Sequence, residues 1–192
     1  MPMNPTLPST HRLARAVRVL RAGGVVAHAT EGVWGLSCDP LQPEAVLRVI
    51  ELKRRDPAQG LIVVGAEPDD LAPFVDPGAT DAWHAAVAFW PAPVTCLLPA
   101  HDDTPWWLTG DHDTIALRQT DHALTAALSR TFGGPLVSTS ANLSGHPPAR
   151  SAWQIRARFG SSAVDFILGG LPDHPGTPSQ IRDMVSGHIL RG

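Results

Sequence analysis

Apolar side chains recur at helical spacing in several segments of the chain, and short continuous apolar runs separate these segments. Ser9 or Thr10 can cap the first predicted helix, which Gly23 and Gly24 end. Its apolar residues share one side of the helix and are Leu13, Ala16, Val17 and Leu20. The same spacing predicts further helices at 43–55, 80–90, 122–132 and 151–159.

The short apolar runs between these helices predict strands buried within the protein. They span residues 24–29, 61–64, 94–98, 114–119, 135–139 and 164–168. Near the end of the chain, segments 181–185 and 188–190 flank Ser186 and Gly187 and predict an antiparallel hairpin. The alternation of helices and strands predicts an α/β fold in which helices flank a mixed and largely interior sheet.

The length of 192 residues is typical of one α/β domain, so we predict a single domain over 1–192. Hydrophobic residues make up 43% of the chain and charged residues 17%, a composition typical of globular proteins and not of disordered ones. Residues 1–8 are expected to form a flexible tail. The stretch 169–178, rich in Pro and Gly, is expected to form a mobile loop.

The net charge of −3 argues against a protein whose whole surface binds nucleic acid, but it is compatible with a local basic surface. One basic run lies on the first predicted helix and consists of Arg12, Arg15, Arg18 and Arg21. This run is either a solvated helix face, the interpretation we favour, or an RNA-binding face.

The chain carries no signs of secretion or membrane insertion. Its first residues lack a basic segment leading into an apolar one, so no secretory signal is predicted. The uncharged stretch 82–100 contains three prolines, which argue against a membrane span. Cys38 and Cys96 stand far apart without a CxxC motif, so neither a disulfide framework nor a cysteine-rich zinc site is predicted. We therefore expect a cytoplasmic protein.

Several familiar catalytic motifs are missing from the sequence. There is no GxGxxG, GxxxxGK[ST], HExxH or GxSxG, so dinucleotide-binding, P-loop, zinc-protease and nucleophile-elbow sites lack support. Two clusters of His and Asp, at 101–103 and 111–113, could in principle bind a divalent metal. They flank a Trp-rich turn, and such clusters are more often surface loops, so no protein metal site is predicted.

A cationic helix end and a polar strand end form the strongest candidate site. Lys53, the only lysine among 15 cationic residues, lies with Arg55 at the end of the second helix. Ser138, Ser140 and Asn142 follow the apolar run 135–137, at the carboxyl end of a strand, where ligands bind in open α/β sheets. A phosphate group would suit both halves. The alternative is a helix-end cationic cluster beside a capped turn.

Two further residues are candidates for binding small polar groups. Thr30 follows the first strand in a segment that contains Gly32 and Gly35, which allow a ligand to approach the backbone. Arg118 lies inside a predicted apolar strand and needs an anion there. That anion is either a substrate carboxylate or an internal Asp or Glu.

Together these motifs resemble the YrdC-like threonylcarbamoyl-AMP synthase family, in its short, single-domain bacterial form. The similar segments cover nearly the whole chain and are 30–35, 53–55, 90–95, 107–110, 116–118, 120–122, 135–145, 178–183 and 190–192. The stretch 135–145, PLVSTSANLSG, is the most specific of them. The resemblance implies the YrdC-like fold, a twisted mixed sheet flanked by helices with a concave ligand cavity.

The resemblance also implies an enzyme, a nucleotidyltransferase that forms threonylcarbamoyl-AMP and pyrophosphate from L-threonine, bicarbonate and ATP. Mg²⁺ is the implied cofactor and accompanies ATP. In the family, a partner threonylcarbamoyl transferase complex then modifies tRNA next to the anticodon. Such chemistry needs no protein nucleophile, in agreement with a sequence that offers cations and hydroxyls without a catalytic triad.

The family's site residues match positions of this chain. The resemblance implies that two catalytic motifs, K-x-R and S-x-N, surround ATP. In this chain they are Lys53 and Arg55, and Ser140 and Asn142. Further nucleotide contacts are implied for Thr114 and Arg191. The residues implied to bind threonine are Thr30, Arg118, Ser138 and Ser179, with Arg118 on the carboxylate.

The chain departs from the family pattern at Ala29 and Asp56, where Pro is usual, and at Ala92, where Gly is usual. We expect Asp56 to matter most, because an acid beside Arg55 can compete with phosphate for its guanidinium group. An alternative function is a module that binds double-stranded RNA, aids ribosome assembly and has no turnover. A second alternative, the carbamoyl-adenylate chemistry of hydrogenase maturation, normally requires additional domains.

Overall fold

A computed structural model describes residues 7–160, 162–173, 176 and 179–191. Residues 1–6 of the predicted tail, and 174, 175, 177 and 178 of the predicted loop, lie outside the described residues. Within the described part, no helix combines the length and the apolar content needed to cross a membrane.

All the helices except α4 begin and end close to the residues that the sequence predicts. They are α1 (Thr10–Arg21), α2 (Pro43–Lys53), α3 (Thr80–Phe89), α4 (Trp106–Thr109), α5 (Ala123–Phe132) and α6 (Ala152–Phe159). The Ser9 hydroxyl accepts a hydrogen bond from the Arg12 amide and caps α1, as predicted. Pro43 begins α2, where its missing N–H leaves no helical hydrogen bond unmade.

The described strands form one nine-stranded sheet. They are β1 (Val26–Ala29), β2 (Trp34–Cys38), β3 (Ile62–Gly65), β4 (Val94–Pro99), β5 (Thr114–Gln119), β6 (Leu136–Ser140), β7 (Phe166–Gly169), β8 (Gln180–Asp183) and β9 (Ile189–Arg191). The spatial order is β7-β1-β2-β6-β3-β5-β4-β8-β9. The pairs β1–β7, β3–β5 and β4–β8 are parallel and the other pairs antiparallel, so the predicted mixed sheet is confirmed.

Apolar cores cover both faces of the sheet. Val26 of β1 packs in one core with residues of α1 and α5, whereas its neighbour Ala27 belongs to the larger core. Leu136 and Val137 of β6 divide between the two cores in the same way. Because successive strand residues point to opposite faces, this division places helices on both sides of the sheet.

Two elements were not predicted from the sequence, β2 and α4. Strand β2 reads Trp-Gly-Leu-Ser-Cys, and all its residues are buried. A strand buried on both faces shows no polar–apolar alternation, and Gly is depleted in strands, so the usual signals are absent. Helix α4 spans four residues, which is too short for a helical period to appear in the sequence.

The arginine face of α1 is occupied by contacts within the protein. One Arg12 nitrogen, Nη2, donates to the carbonyl groups of Ile167 and Leu168 at 2.9 Å each, on the edge strand β7. The guanidinium groups of Arg12 and Arg15 lie 5.4 and 5.1 Å from the centre of the Phe166 ring. Arg21 donates to the Phe132 carbonyl at 3.0 Å. All four arginines of the run remain exposed, so the predicted solvated face is confirmed. Arg12, Arg15 and Arg21 in addition hold α1 on the sheet edge and α5.

Loss of the Arg12 side chain should therefore destabilise the fold. We expect Arg12→Ala to lower the free energy of unfolding by about 1 kcal/mol, because two hydrogen bonds and a cation–π contact disappear. Urea denaturation measures this change. The matched control is Arg18→Ala on the same helix, for which we expect about 0.5 kcal/mol or less. Equal losses in both variants would contradict the role given to Arg12.

Candidate active site

A cavity of about 940 Å³ lies on one face of the sheet. Alternate residues of β5, Thr114, Ala116 and Arg118, line it, as do Ser138 and Ser140 of β6. Strand side chains alternate between faces, so this spacing brings the residues to a single surface. The other walls come from the β1–β2 turn, the segment after α2, α4, and the β8–β9 hairpin.

Most of the residues implied by the family resemblance share this cavity. The lining includes Thr30, Arg55, Thr114, Arg118, Ser138, Ser140, Ser179 and Arg191. The other two, Lys53 and Asn142, are absent from the described lining and contact Ser140 from behind it. The structure therefore gathers the predicted residues in one place, with two of them supporting the wall.

The cavity wall is strongly cationic. Its described residues include Arg55, Arg118, Arg150 and Arg191, against a single carboxylate, Glu31. Burial, followed by the charge of Arg191, lowers the pKa of Arg55. Burial and the charge of Arg118 likewise lower the pKa of Arg191. These guanidinium groups are thus close enough to repel one another, and an anion placed among them would be bound favourably.

Lys53 fixes the turn that carries the serine and asparagine motif. It ends α2, and only 2% of the residue is exposed. Its ammonium group donates to the Ser140 carbonyl, and to the carbonyl and side-chain oxygens of Asn142 at 3.0 Å each. The Lys53 carbonyl in turn accepts from the Ser144 amide at 2.8 Å. Lys53 consequently positions Ser140 and Asn142 through direct contacts.

A buried ammonium group loses favourable hydration. Burial, and then the charges of Arg55 and Arg158, lower the pKa of Lys53 to about 7. Its oxygen partners are neutral, so no carboxylate among them offsets the cost of burying the charge.

Arg55 is held by the chain that follows it. Arg55 Nε donates to the Gly60 carbonyl at 3.1 Å. The Asp56 carboxylate instead accepts from the Ala58 amide at 3.0 Å and caps the short helix Pro57–Gln59. No ion pair joins Asp56 to Arg55 within the described structure. The Asp56 carboxylate therefore serves as a helix cap, while its charge partly offsets the lowering of the Arg55 pKa. Its competition with phosphate for Arg55 stays a prediction.

The turn that holds Arg55 interlocks with the segment around α4. The Leu61 amide donates to the Leu108 carbonyl at 2.8 Å, and the Asp111 amide donates to the Ala58 carbonyl at 3.0 Å. Gly110 has a φ of +66°, and a Cβ there would lie 2.2 Å from the Ala58 oxygen. Only glycine fits so close an approach in a left-handed conformation, which gives the Trp-Leu-Thr-Gly motif a structural role beside the cavity.

Both of the partners considered for Arg118 are compatible with the structure. The Arg118 Nη2 atom lies 3.4 Å from the Glu31 carboxylate, which also accepts a hydrogen bond from the Thr120 hydroxyl. The Arg118 Nε atom is buried and has no hydrogen-bond partner among the described residues. An internal acid is thus present, and one edge of the guanidinium group still lacks an acceptor.

The hydroxyl residues line the same cavity as Arg118 from different elements. The Thr30 hydroxyl donates to the Val33 carbonyl at 2.8 Å and keeps its acceptor lone pairs. Arg191 Nη2 donates to the Ser179 carbonyl at 2.8 Å and to its hydroxyl oxygen at 3.2 Å. Arg191 and Ser179, which the resemblance assigns to different substrates, are therefore direct neighbours.

The histidine and aspartate clusters belong to the loop around α4. Among the residues that the structure describes, no group of three or more His, Cys, Asp or Glu side chains could hold a metal ion. The Asp103 amide donates to the His101 ring at 3.0 Å, a contact typical of a local turn.

The sequence did not single out Glu31 or Arg150 as cavity residues. Glu31 follows Thr30 directly, and an acidic residue between a buried strand and a glycine was a usable signal. Arg150 reaches the cavity from the loop before α6, and no local pattern reports that placement.

The lowered pKa of Lys53 makes protein stability depend on pH. The Lys53 ammonium group loses its proton near pH 7 in the folded chain and near pH 10.5 in the unfolded chain. Between these two pH values the unfolded state therefore binds more protons than the folded state. The free energy of unfolding should then rise with pH. From pH 7 to 8.5, we expect the wild type to gain about 1–2 kcal/mol relative to Lys53→Met.

Denaturant titrations at the two pH values measure this gain. The chain has no tyrosine and no second lysine to titrate in this window, and the comparison with Lys53→Met cancels the histidines. Both thiols, which ionise with a pKa near 9 in the unfolded chain, are the same in the two proteins and cancel likewise. A constant difference between the two proteins would contradict a lowered Lys53 pKa.

Comparisons with known proteins show which family this chain belongs to. A family model for the Sua5/YciO/YrdC domain, described as "Telomere recombination", matches residues 18–192. A protein of Alkalilimnicola ehrlichii named threonylcarbamoyl-AMP synthase is 47% identical over 182 residues, which cover 94% of this chain and 95% of the relative. One of the same name from Klebsiella pneumoniae is 44% identical over 193 residues, covering 98% and 99%.

Solved structures share the fold. P. abyssi Sua5, complexed with L-threonine, superposes with a TM-score of 0.80 at 31% identity over 89% of this chain and 50% of that chain. This chain thus spans about half the length of that protein. E. coli YciO superposes with a TM-score of 0.82 at 22% identity, over 97% of this chain and 91% of that chain, and shares the fold. With a matching family model and close relatives over nearly its full length, the chain belongs to the Sua5/YciO/YrdC family.

Proposed function

We propose that this protein is a threonylcarbamoyl-AMP synthase, an enzyme that joins L-threonine, bicarbonate and ATP with release of pyrophosphate. The observation that carries the proposal is the cavity itself. Its described wall combines four arginines and several hydroxyl groups with one carboxylate. Relatives that are 44–47% identical over nearly the whole chain bear this enzyme's name.

The reaction suits a site without a nucleophile. The α-ammonium group of threonine loses a proton to solvent, and the free amine combines with bicarbonate to give a carbamate and water. A carbamate oxygen then attacks the α-phosphorus of ATP. The bond to the β-phosphate breaks, and pyrophosphate leaves. Every reactant carries negative charge, so the protein has to hold anions together, a task for which a cationic and partly enclosed wall is suited.

Arg55 and Ser140 are the residues we assign to the phosphates of ATP. Both line the cavity, and both are held by protein contacts: Arg55 by the Gly60 carbonyl and Ser140 by Asn142. Lys53 and Asn142 act on ATP through the position of Ser140. Thr114 and Arg191 are assigned further nucleotide contacts.

Threonine is assigned to the region around Arg118. The unpartnered Nε of Arg118 supports binding of a carboxylate, because an unsatisfied buried N–H costs about 1–3 kcal/mol, which a ligand acceptor would recover. Thr30, Ser138 and Ser179 supply hydroxyl groups on the same wall. A solved relative, P. abyssi Sua5, is described as complexed with L-threonine.

Magnesium fits this site as a companion of ATP. Glu31 is the single carboxylate of the described lining and is engaged by Arg118 and Thr120, so the metal would bind mainly to phosphate oxygens. The Ser140 hydroxyl is a hard oxygen ligand on the cavity wall that would complete its coordination. The ion would neutralise phosphate charge.

We further propose that the product passes to a partner threonylcarbamoyl transferase complex that modifies tRNA, which places the reaction in the cytoplasm. The alternative of an RNA-binding module has less support. The basic face of α1 was its main basis, and Arg12, Arg15 and Arg21 are engaged with β7 and α5.

Pyrophosphate release tests the proposed activity. With ATP, Mg²⁺ and bicarbonate, we expect release that depends on added L-threonine. Release without threonine, or none from folded protein, would contradict the proposal.

Substitution of Arg55 tests the assignment of the phosphate site. We expect Arg55→Ala to lower kcat/KM for ATP by about 100-fold, through loss of a charge-assisted contact to phosphate, with a much smaller effect on the KM for threonine. Arg54→Asn is the matched control, because Arg54 is exposed and has a φ of +49°, which Asn tolerates. Similar kcat/KM values for ATP in both variants would remove Arg55 from the phosphate site.

A further inference from the structure

The buried ion pair at the cavity is looser than the exposed ones. Glu31 and Arg118 are 7% and 6% exposed, yet their closest charged atoms lie 3.4 Å apart. The exposed pairs Arg48–Asp165 and Arg130–Glu67 close to 2.7 and 2.8 Å. Charge-assisted hydrogen bonds normally lie near the shorter distances, so the Glu31–Arg118 pair does not satisfy its own charges.

Both members of the pair have unused hydrogen-bonding capacity. Arg118 Nε has no partner among the described residues. On Glu31, one oxygen accepts from the Thr120 hydroxyl, the other faces Arg118, and the carboxylate also accepts from its own backbone amide, so these contacts leave part of its acceptor capacity unused. An incompletely bonded ion pair is costly away from water, and a ligand that offers both an acceptor and a donor would complete it.

Glu31 is ionised in this setting. Burial alone would raise its pKa, but the charge of Arg118 and the hydrogen bond from Thr120 lower the pKa below its ordinary value. It is also the single carboxylate of the described lining, which otherwise presents guanidinium groups. Among the charged side chains of that described lining, Glu31 is the one that would attract a positively charged ligand group.

An adjacent carboxylate and guanidinium group are complementary to a zwitterion. We propose that Glu31 binds the α-ammonium group of the amino-acid substrate while Arg118 binds its carboxylate, so that Glu31 selects amino acids over hydroxy acids that lack the amine. The proposal rests on the proposed function, since it assigns Glu31 within the threonine region. The role is one of binding, and the low basicity of Glu31 suits it to hold an ammonium ion.

Binding measurements with two ligands test this role. L-threonine carries the amine, and 3-hydroxybutyrate has the same carboxylate and hydroxyl group without it. The variant Glu31→Gln keeps the size and an oxygen acceptor for Thr120 but removes the charge. By titration calorimetry, we expect it to bind threonine about 10- to 100-fold more weakly, the effect of losing a charge-assisted hydrogen bond. Its affinity for 3-hydroxybutyrate should be unchanged or higher, because repulsion between two carboxylates is relieved.

Two further variants keep the test decisive. Glu31→Asp retains the charge and should still prefer threonine over 3-hydroxybutyrate, whether or not Glu31→Gln folds. Glu51→Gln, an exposed residue of α2, is the matched control and should bind both ligands as the wild type does.

The binding measurements distinguish failure of the Glu31 proposal from failure of the proposed function. If Glu31→Gln lowers the affinity for threonine and for 3-hydroxybutyrate equally, the proposal is overturned, because Glu31 then only orients Arg118. Unchanged threonine affinity, or an Asp variant without preference for threonine, would overturn it as well. A wild type that binds ATP but not threonine would contradict the proposed function itself.

Discussion

The site depends on one buried ammonium group. Lys53 joins the end of α2 to the end of β6 through hydrogen bonds to the oxygens of Ser140 and Asn142. The rest of the cavity follows from this contact, because the same junction brings Arg55 to one wall and Ser140 to the next. A lysine suits the position, since a compact ammonium group can meet three oxygens that a planar guanidinium group would not fit.

Much of the fold could be predicted because its elements carry strong local signals. Helix α1 has a serine cap and an apolar face, and the α5 and β5 segments lie close to their predicted positions. Strand β2 was missed for a physical reason: it lies between β1 and β6 with all its residues buried, so its sequence shows no alternation. Burial on both faces arises only when the sheet assembles, so the local sequence of the strand does not indicate it.

The candidate site was predictable to a similar extent. Arg55, Ser140 and Arg118 line one cavity as the resemblance implied, although the function of each stays a prediction. The role of Asp56 could not be predicted, because a carboxylate beside a cation caps a turn or forms an ion pair depending on backbone direction. Glu31 was missed because its importance comes from Arg118, which lies far from it in sequence and meets it only in the folded chain.

The central claim is that a single cationic cavity brings ATP, bicarbonate and the carboxylate-bearing amino acid together for one adenylation. Mass spectrometry of the product after incubation with ATP, Mg²⁺, L-threonine and carbon-13 bicarbonate tests it most directly. The account predicts threonylcarbamoyl-AMP that carries the label, and none when any one reactant is omitted. An adenylate without the label, or threonyl-AMP formed directly from threonine and ATP, would contradict the account.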